Sequence, residues 1–182
     1  MALPLRAELR LPHLFSDHMV LQQQKSIPIW GWDAPGQSIK IVWRGKVQST
    51  ECDAQGKWKT ELPATEAGGP HQLSLLGSTS VVIKDIWVGE VWLAAGQSNM
   101  EWSLADFGKA EAIKTAYVPG IRVFDVPNRY SDKREDSLQG EWKVCSPQAA
   151  KRFFGGGLFF CFGDVYGPAR ACGYHHRRLG RH

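Results

Sequence analysis

The chain has 182 residues, enough for one medium domain or two small ones around a real core. Its 43% hydrophobic and 22% charged residues and eight tryptophans make a globular composition, and no window approaches the roughly eighteen apolar residues that would mark a membrane span. The net charge of +4 does not indicate a nucleic-acid partner, because the residues from Phe154 onward hold a surplus of three and leave residues 1–153 with only about +1 and no basic cluster.

The first ten residues, Met1 to Arg10, have no sustained apolar stretch and no small-residue cleavage site. They read as mature sequence, or as a start inside a longer gene, and leave localisation open. Residues 8–84 read as short strands separated by turns. Ile27 and Ile29 alternate with Pro28 before Trp30-Gly31-Trp32, and Asp33-Ala34-Pro35-Gly36 makes a turn. Ile39, Ile41 and Trp43 keep a period of two, the pattern of a half-buried strand, and Arg44-Gly45 reverses the chain into Val47. Asp53-Ala54-Gln55-Gly56 is a second reversal, and Ala67-Gly68-Gly69-Pro70 breaks the chain before Leu73 and Leu75. Strands at this spacing predict a small antiparallel β-sandwich over residues 1–85.

After Ile83 the pattern changes. Residues 86–95 form a nearly continuous apolar run, expected of a parallel strand buried on both faces. A helix is predicted over Lys109–Tyr117, with Asp106 as a candidate N-cap, and Ile121–Pro127 is a second strand. Residues 128–141 are polar and read as a surface loop, and Ser146 caps a short helix with Pro147 at its first position. The last 29 residues hold seven glycines, four arginines and three histidines, with no lysine or glutamate, and keep neither helical nor strand periodicity. Four cysteines, Cys52, Cys145, Cys161 and Cys172, form no CxxC pair, so neither a zinc site nor a disulfide framework is implied.

The candidate chemistry sits where the first buried strand stops, at Gly96-Gln97-Ser98-Asn99-Met100. The carboxyl end of a strand is where α/β sheets bind ligands. Gly96 lets the chain turn, and a following helix would aim free amides at an oxyanion. By position alone, a serine there is also a helix cap or a loop residue. Asn99 reads as part of the turn rather than as a reacting group.

Four blocks carry a resemblance to a known family. They are Leu14-Phe15-Ser16-Asp17-His18-Met19-Val20-Leu21-Gln22-Gln23, Trp30-Gly31-Trp32-Asp33-Ala34-Pro35-Gly36, the run from Gly89-Glu90-Val91-Trp92 to Ser98-Asn99-Met100-Glu101-Trp102, and Trp142-Lys143-Val144-Cys145-Ser146-Pro147. In this order they resemble the sialate O-acetylesterase family over residues 11 to about 153. The resemblance implies an α/β architecture: an N-terminal antiparallel β-sandwich module (1–85), the start of an SGNH-type, flavodoxin-like parallel-sheet hydrolase domain (86–153), incomplete, and a divergent Gly/Arg/His-rich tail (154–182). It implies removal of O-acetyl groups from sialic acid or related sugars, with an O-acetylated carbohydrate as partner and no metal or organic cofactor. Ser98 maps onto the nucleophile, and its own N–H would serve an oxyanion hole. Members are often exported. Oligomeric state is unread, and neither nucleic acid nor membrane is expected as a partner.

A serine attacks an ester poorly without a base. In the family the base lies in an Asp-x-x-His segment and further oxyanion donors in Gly-Gly and Gln-Gly-Glu blocks, all farther along a longer chain; no aspartate here has a histidine three residues on. Ser16-Asp17-His18 has the residue types of a triad, but neighbours along a strand face opposite ways and cannot form a relay. Gln139-Gly140-Glu141 stands where the family has an ordinary loop, and His175-His176 has no carboxylate nearby in sequence and reads as solvated tail. Resemblance, residue usage and periodicity all change near Phe153–Phe154, which we read as a shift of coding frame. The chain is therefore expected to be a truncated esterase with little activity. The alternative is a non-catalytic carbohydrate-binding or structural β module with an inactive hydrolase remnant, with Trp30, Trp32, Trp43 and Trp58 as candidate stacking surface and otherwise core.

Overall fold

Turn chemistry and alternation build the first half of the molecule. A computed structural model describes residues 8–96, 102–127, 135–152 and 171–178, with the main chain only for Ala95, Gly96 and 171–178. In chain order the strands are β1 (Val20–Gln22), β2 (Ile27–Trp32), β3 (Ser38–Trp43), β4 (Lys46–Glu51), β5 (Lys57–Leu62), β6 (Gly68–Leu76) and β7 (Ser80–Gly96). There follow α1 (Ala110–Lys114), β8 (Val118–Asp125), β9 (Glu141–Cys145), α2 (Pro147–Ala150) and β10 (Ala171–Arg178). The β3–β4 hairpin closes on Arg44 and Gly45, both at positive φ, the geometry whose twist matches a two-residue reversal. Ile39, Ile41 and Trp43 point inward from β3 as their spacing predicts.

One eight-stranded mixed sheet runs β4-β3-β6-β7-β10-β8-β9, with β1 pairing β7 in parallel. A two-stranded ladder, β2–β5, stands apart from it. Ile27, Ile29, Trp58 and Leu62 of the ladder meet Ile39, Ile41, Trp43, Leu73 and Leu75 of the large sheet in one core, so the first half is a sandwich of two antiparallel layers. Trp43 and Trp58 belong to this core, each 2% exposed.

β7 is seventeen residues long and runs unbroken through position 85. Its first half pairs antiparallel with β6 and its second half parallel with β10, which in turn pairs parallel with β8. β8 is buried on both faces: Phe124 joins the sandwich core, while Ile121 and Val123 join a second core with Leu104, Ile113, Ala116, Cys145 and Ala150. That is the burial expected of a strand inside a layered sheet.

Four expectations are corrected. The helix expected over Lys109–Tyr117 is only the five residues of α1, and Asp106 does not cap it: the cap position is Lys109, without a side-chain bond. Asp106 instead accepts from the N–H and hydroxyl of Ser103, a local turn that competes with helix initiation. Residues 86–95 form a strand, but it is not covered on both faces among the described residues, since Trp92 is 39% and Leu93 70% exposed. The short α1 and α2 pack on each other, and α2 on β9, and among the described residues of β7 only Ala94 packs against the core they share. Residues 171–178, expected as tail without strand character, form β10 between β7 and β8. A strand with ladders on both edges is stabilised by main-chain bonds and needs no side-chain alternation. The Ser146 cap holds as expected, accepting from the Ala149 N–H with Pro147 at the first helical position. Among the described residues no helix is long and apolar enough to cross a membrane.

A charge cluster fastens the two halves. β7 carries one extra residue opposite His71–Leu73, and in this bulge Asp85 takes a positive φ of 51°. Its carboxylate accepts from Arg122 of β8 (3.0 and 3.2 Å), from the Trp87 indole (2.9 Å) and lies 2.7 Å from His18 Nδ1. Arg122 is 2% exposed, stacks 4.9 Å from the Trp87 ring and donates to the Pro119 carbonyl. Burial alone would raise the Asp85 carboxyl pKa, but hydrogen bonds from His18, Arg122 and Trp87 and the charge of Arg122 outweigh it and hold it below the ordinary value.

Asp85→Ala strands a buried guanidinium and is expected to cost about 2–4 kcal/mol in urea unfolding, with part of the loss recovered in the double variant Asp85→Ala/Arg122→Met. A carboxyl whose pKa is depressed by folding contributes stability above its unfolded value near 3.9 and loses it as pH falls through the folded one. The unfolding midpoint should therefore drop with acidification below about pH 4, and more shallowly in Asp85→Asn; equal slopes would show the carboxylate to be uninvolved.

Candidate active site

The strand that leads to Ser98 is held in place from both sides. Gln22 and Gln23, at the end of β1, donate to the carboxylate of Glu90 in β7, the first at 3.2 Å, and the Gln22 carbonyl oxygen accepts from the Val91 N–H at 3.0 Å. Main-chain bonds from Trp87 to Met19 and from Gln23 to Gly89 complete the join. Beyond them β7 continues to Gly96, level with Arg178 of β10, and β8 ends at Asp125, level with His176. Three parallel strands thus finish at one edge of the sheet, the edge at which such sheets bind ligands. Ser98 and its neighbours Gln97, Asn99, Met100 and Glu101 lie outside the described residues.

The other candidates are each accounted for. Ser16 donates to the His13 carbonyl at 2.9 Å, Asp17 accepts from the Lys84 N–H at 2.7 Å, and His18 meets Asp85. The three side chains have three separate partners and form no relay. The His18–Asp85 pair resembles a base with its orienting carboxylate, yet Asp85 stands eleven residues before Gly96 along one strand, about 36 Å at a rise of ~3.3 Å per residue. It cannot serve Ser98.

Gly140, in Gln139-Gly140-Glu141, has a φ of 145° and lies so close to Phe124 that an added Cβ would sit 2.7 Å from its ring. Glu141 pairs with Lys143 at 3.0 Å and lies opposite Asp125 in the β8–β9 ladder. This block is a tight entry into a strand. For His175 and His176 the structure describes main chain only; His176 is in register with Ala94 and with Asp125. Sequence distance hid that carboxylate, which only the β8–β10 pairing brings alongside. Ser98 follows Ala94 by four positions in sequence, a span of up to about 13 Å, so register alone does not bring His176 to the serine. Cys52 and Cys145 are free, buried thiols, and burial pushes both pKa values up, away from the reactive thiolate.

The four sequence blocks meet in space. Phe15 packs edge-on against Trp30 at 4.7 Å, the Trp142 indole donates to the Leu14 carbonyl at 2.8 Å, and Gln22 and Gln23 hold Glu90. No family model matches the chain. The mouse (Mus musculus) sialate O-acetylesterase is 29% identical over 144 residues, covering 71% of this chain and 26% of the enzyme. The human (Homo sapiens) sialate O-acetylesterase is 27% identical over 154 residues, covering 76% and 29% respectively. A crystal structure of a carbohydrate acetylesterase from Xanthomonas citri superposes with a TM-score of 0.91 at 36% identity, covering 95% of this chain and 41% of that one.

The chain resembles the sialate O-acetylesterase family. It spans between a quarter and a third of the curated sialate O-acetylesterases it matches and 41% of the bacterial esterase. The strand that leads toward Ser98 is anchored through Glu90. Glu90→Ala removes the acceptor for Gln22 and for the 8%-exposed Gln23. The expected cost is about 1–3 kcal/mol in thermal or urea unfolding, and an unchanged midpoint would remove Glu90 from the account.

Proposed function

We propose that this chain carries the nucleophile-bearing part of a serine hydrolase that removes O-acetyl groups from sialic acid or related carbohydrates. The observation that carries the reading is the likeness to a carbohydrate acetylesterase, at a TM-score of 0.91 over 95% of the chain. In this reading residues 1–85 are a β module and residues 86–153 open an SGNH-type, flavodoxin-like domain, to whose sheet the divergent residues 154–182 contribute β10. The parallel arrangement of β7, β10 and β8, finishing at one edge, supports the second assignment.

Ser98 would act as the nucleophile. Its Oγ attacks the acetyl carbonyl carbon while a base takes the hydroxyl proton, and the oxyanion is met by backbone N–H groups, that of Ser98 among them. Collapse expels the sugar oxygen, which regains a proton from the base. Water then attacks the acetyl-serine and releases acetate and free Ser98, so bonds and protons balance over the cycle. Among the described side chains no histidine and carboxylate meet at Gly96; His176, in register with Asp125, is described by its main chain only. Losing a base from such a triad typically costs on the order of 10⁴-fold in kcat, with a residue of catalysis left to the oxyanion site.

The chain by itself is therefore expected to label at Ser98 with a fluorophosphonate probe slowly, and to release acetate from an O-acetylated sialic acid weakly. Both signals should vanish in Ser98→Ala. Acetate release that persists in Ser98→Ala would overturn the assignment, and brisk turnover by the chain would overturn the expectation of weakness.

A further inference from the structure

A second feature of the β module is independent of Ser98. β2 points Ile27 and Ile29 into the core, so Trp30 and Trp32 fall on its opposite, outward face, where both remain half-buried. In the ladder Trp30 lies opposite Lys59 and Trp32 opposite Lys57. Together with Trp58, Asp53 and Asp136 these side chains line a cleft of about 280 Å³. That is near the lower bound for small-molecule sites, roughly 300–1,000 Å³, and suits one sugar ring rather than a long chain.

The indoles are held as platforms. Phe15 meets Trp30 edge-on at 4.7 Å, and the Arg10 guanidinium carbon lies 5.9 Å from the centre of Trp32. A fixed indole presents an electron-rich face, and the C–H face of a pyranose is its electropositive complement. The polar groups divide unevenly. Asp53 already accepts from the N–H groups of Gln55 and Lys57, and Asp136 is paired with the Lys57 ammonium at 2.9 Å. Among the described residues the Lys59 ammonium, on the same outward face as Trp30, meets no carboxylate. What the cleft leaves unmatched is one positive charge, and it calls for an anionic oxygen.

We propose that this cleft is an accessory binding site for an acidic sugar, with the pyranose ring on Trp30 and Trp32 and its carboxylate on Lys59. Asp136 then accepts from a hydroxyl at the rim. The proposal needs no reactivity at Ser98, and none of its residues lies between Gly96 and Glu101.

The test is a tryptophan-fluorescence titration of the full chain with N-acetylneuraminic acid, glucuronic acid and glucose, none of which carries a cleavable O-acetyl ester. Both acids should give a saturable change, and glucose should bind about fivefold or more weakly, the loss of one modest charged contact. Lys59→Gln, an exposed substitution that leaves the core untouched, should bring the acids to the level of glucose. Trp32→Ala should weaken all three, and Ser98→Ala should change nothing. No saturation by either acid in a folded chain, acids unaffected by Lys59→Gln, or binding lost in Ser98→Ala would each overturn the proposal. Acetate release measured on the same samples reports separately on the esterase reading.

Discussion

The length of β7 is the constraint on which the rest of the structure depends. Seventeen residues of one strand pair with β6 at one end and β10 at the other, with β1 joining near the middle. An antiparallel sandwich and a parallel sheet therefore share a backbone and are built in one register. The two halves cannot move independently without breaking the ladder of a strand that both use. The bulge around Asp85 adjusts the strand where its partners change, adding twist and re-aiming one side chain without ending the pairing.

That side chain then carries a cost and its remedy. Arg122 sits in β8 with both neighbours, Ile121 and Val123, committed to the second core, so its guanidinium is forced into the interface with β7. A buried charge is tolerated only when matched, and Asp85 matches it with two contacts while the Trp87 ring covers one face. His18 is drawn to the same carboxylate from the turn before β1. Such an Asp–His pair looks like catalytic machinery, but its partners are an arginine, an indole and a strand junction. Its place at the far end of β7 assigns it to architecture.

Features with local causes were legible in the residues. The Arg44-Gly45 reversal, the inward set Ile39, Ile41 and Trp43, and the Ser146-Pro147 cap each follow from a few adjacent side chains, and each is present. What escaped depends on partners distant in sequence. β10 has no periodicity because its ladders to β7 and β8 stabilise it through the main chain. The failure of Asp106 as a cap reflects a turn bond from Ser103 that occupies its carboxylate. The split among the tryptophans, Trp43 and Trp58 in the core and Trp30 and Trp32 on the cleft, is decided by which face of a strand each occupies. For β2 and β5 that phase is set by the opposite layer of the sandwich.

The family blocks themselves deserve a physical reading. Phe15, Trp30, Trp142 and Glu90 come from four separate stretches, yet they form one set of contacts around the first turn and the middle of β7. None of these four is a nucleophile or a base. The Trp142 N–H bond to Leu14 and the glutamine grip on Glu90 fix how the strand leaves the sandwich, and so where its carboxyl end emerges. A resemblance carried by such residues reports first on how β7 is held against the turn before β1 and against β9.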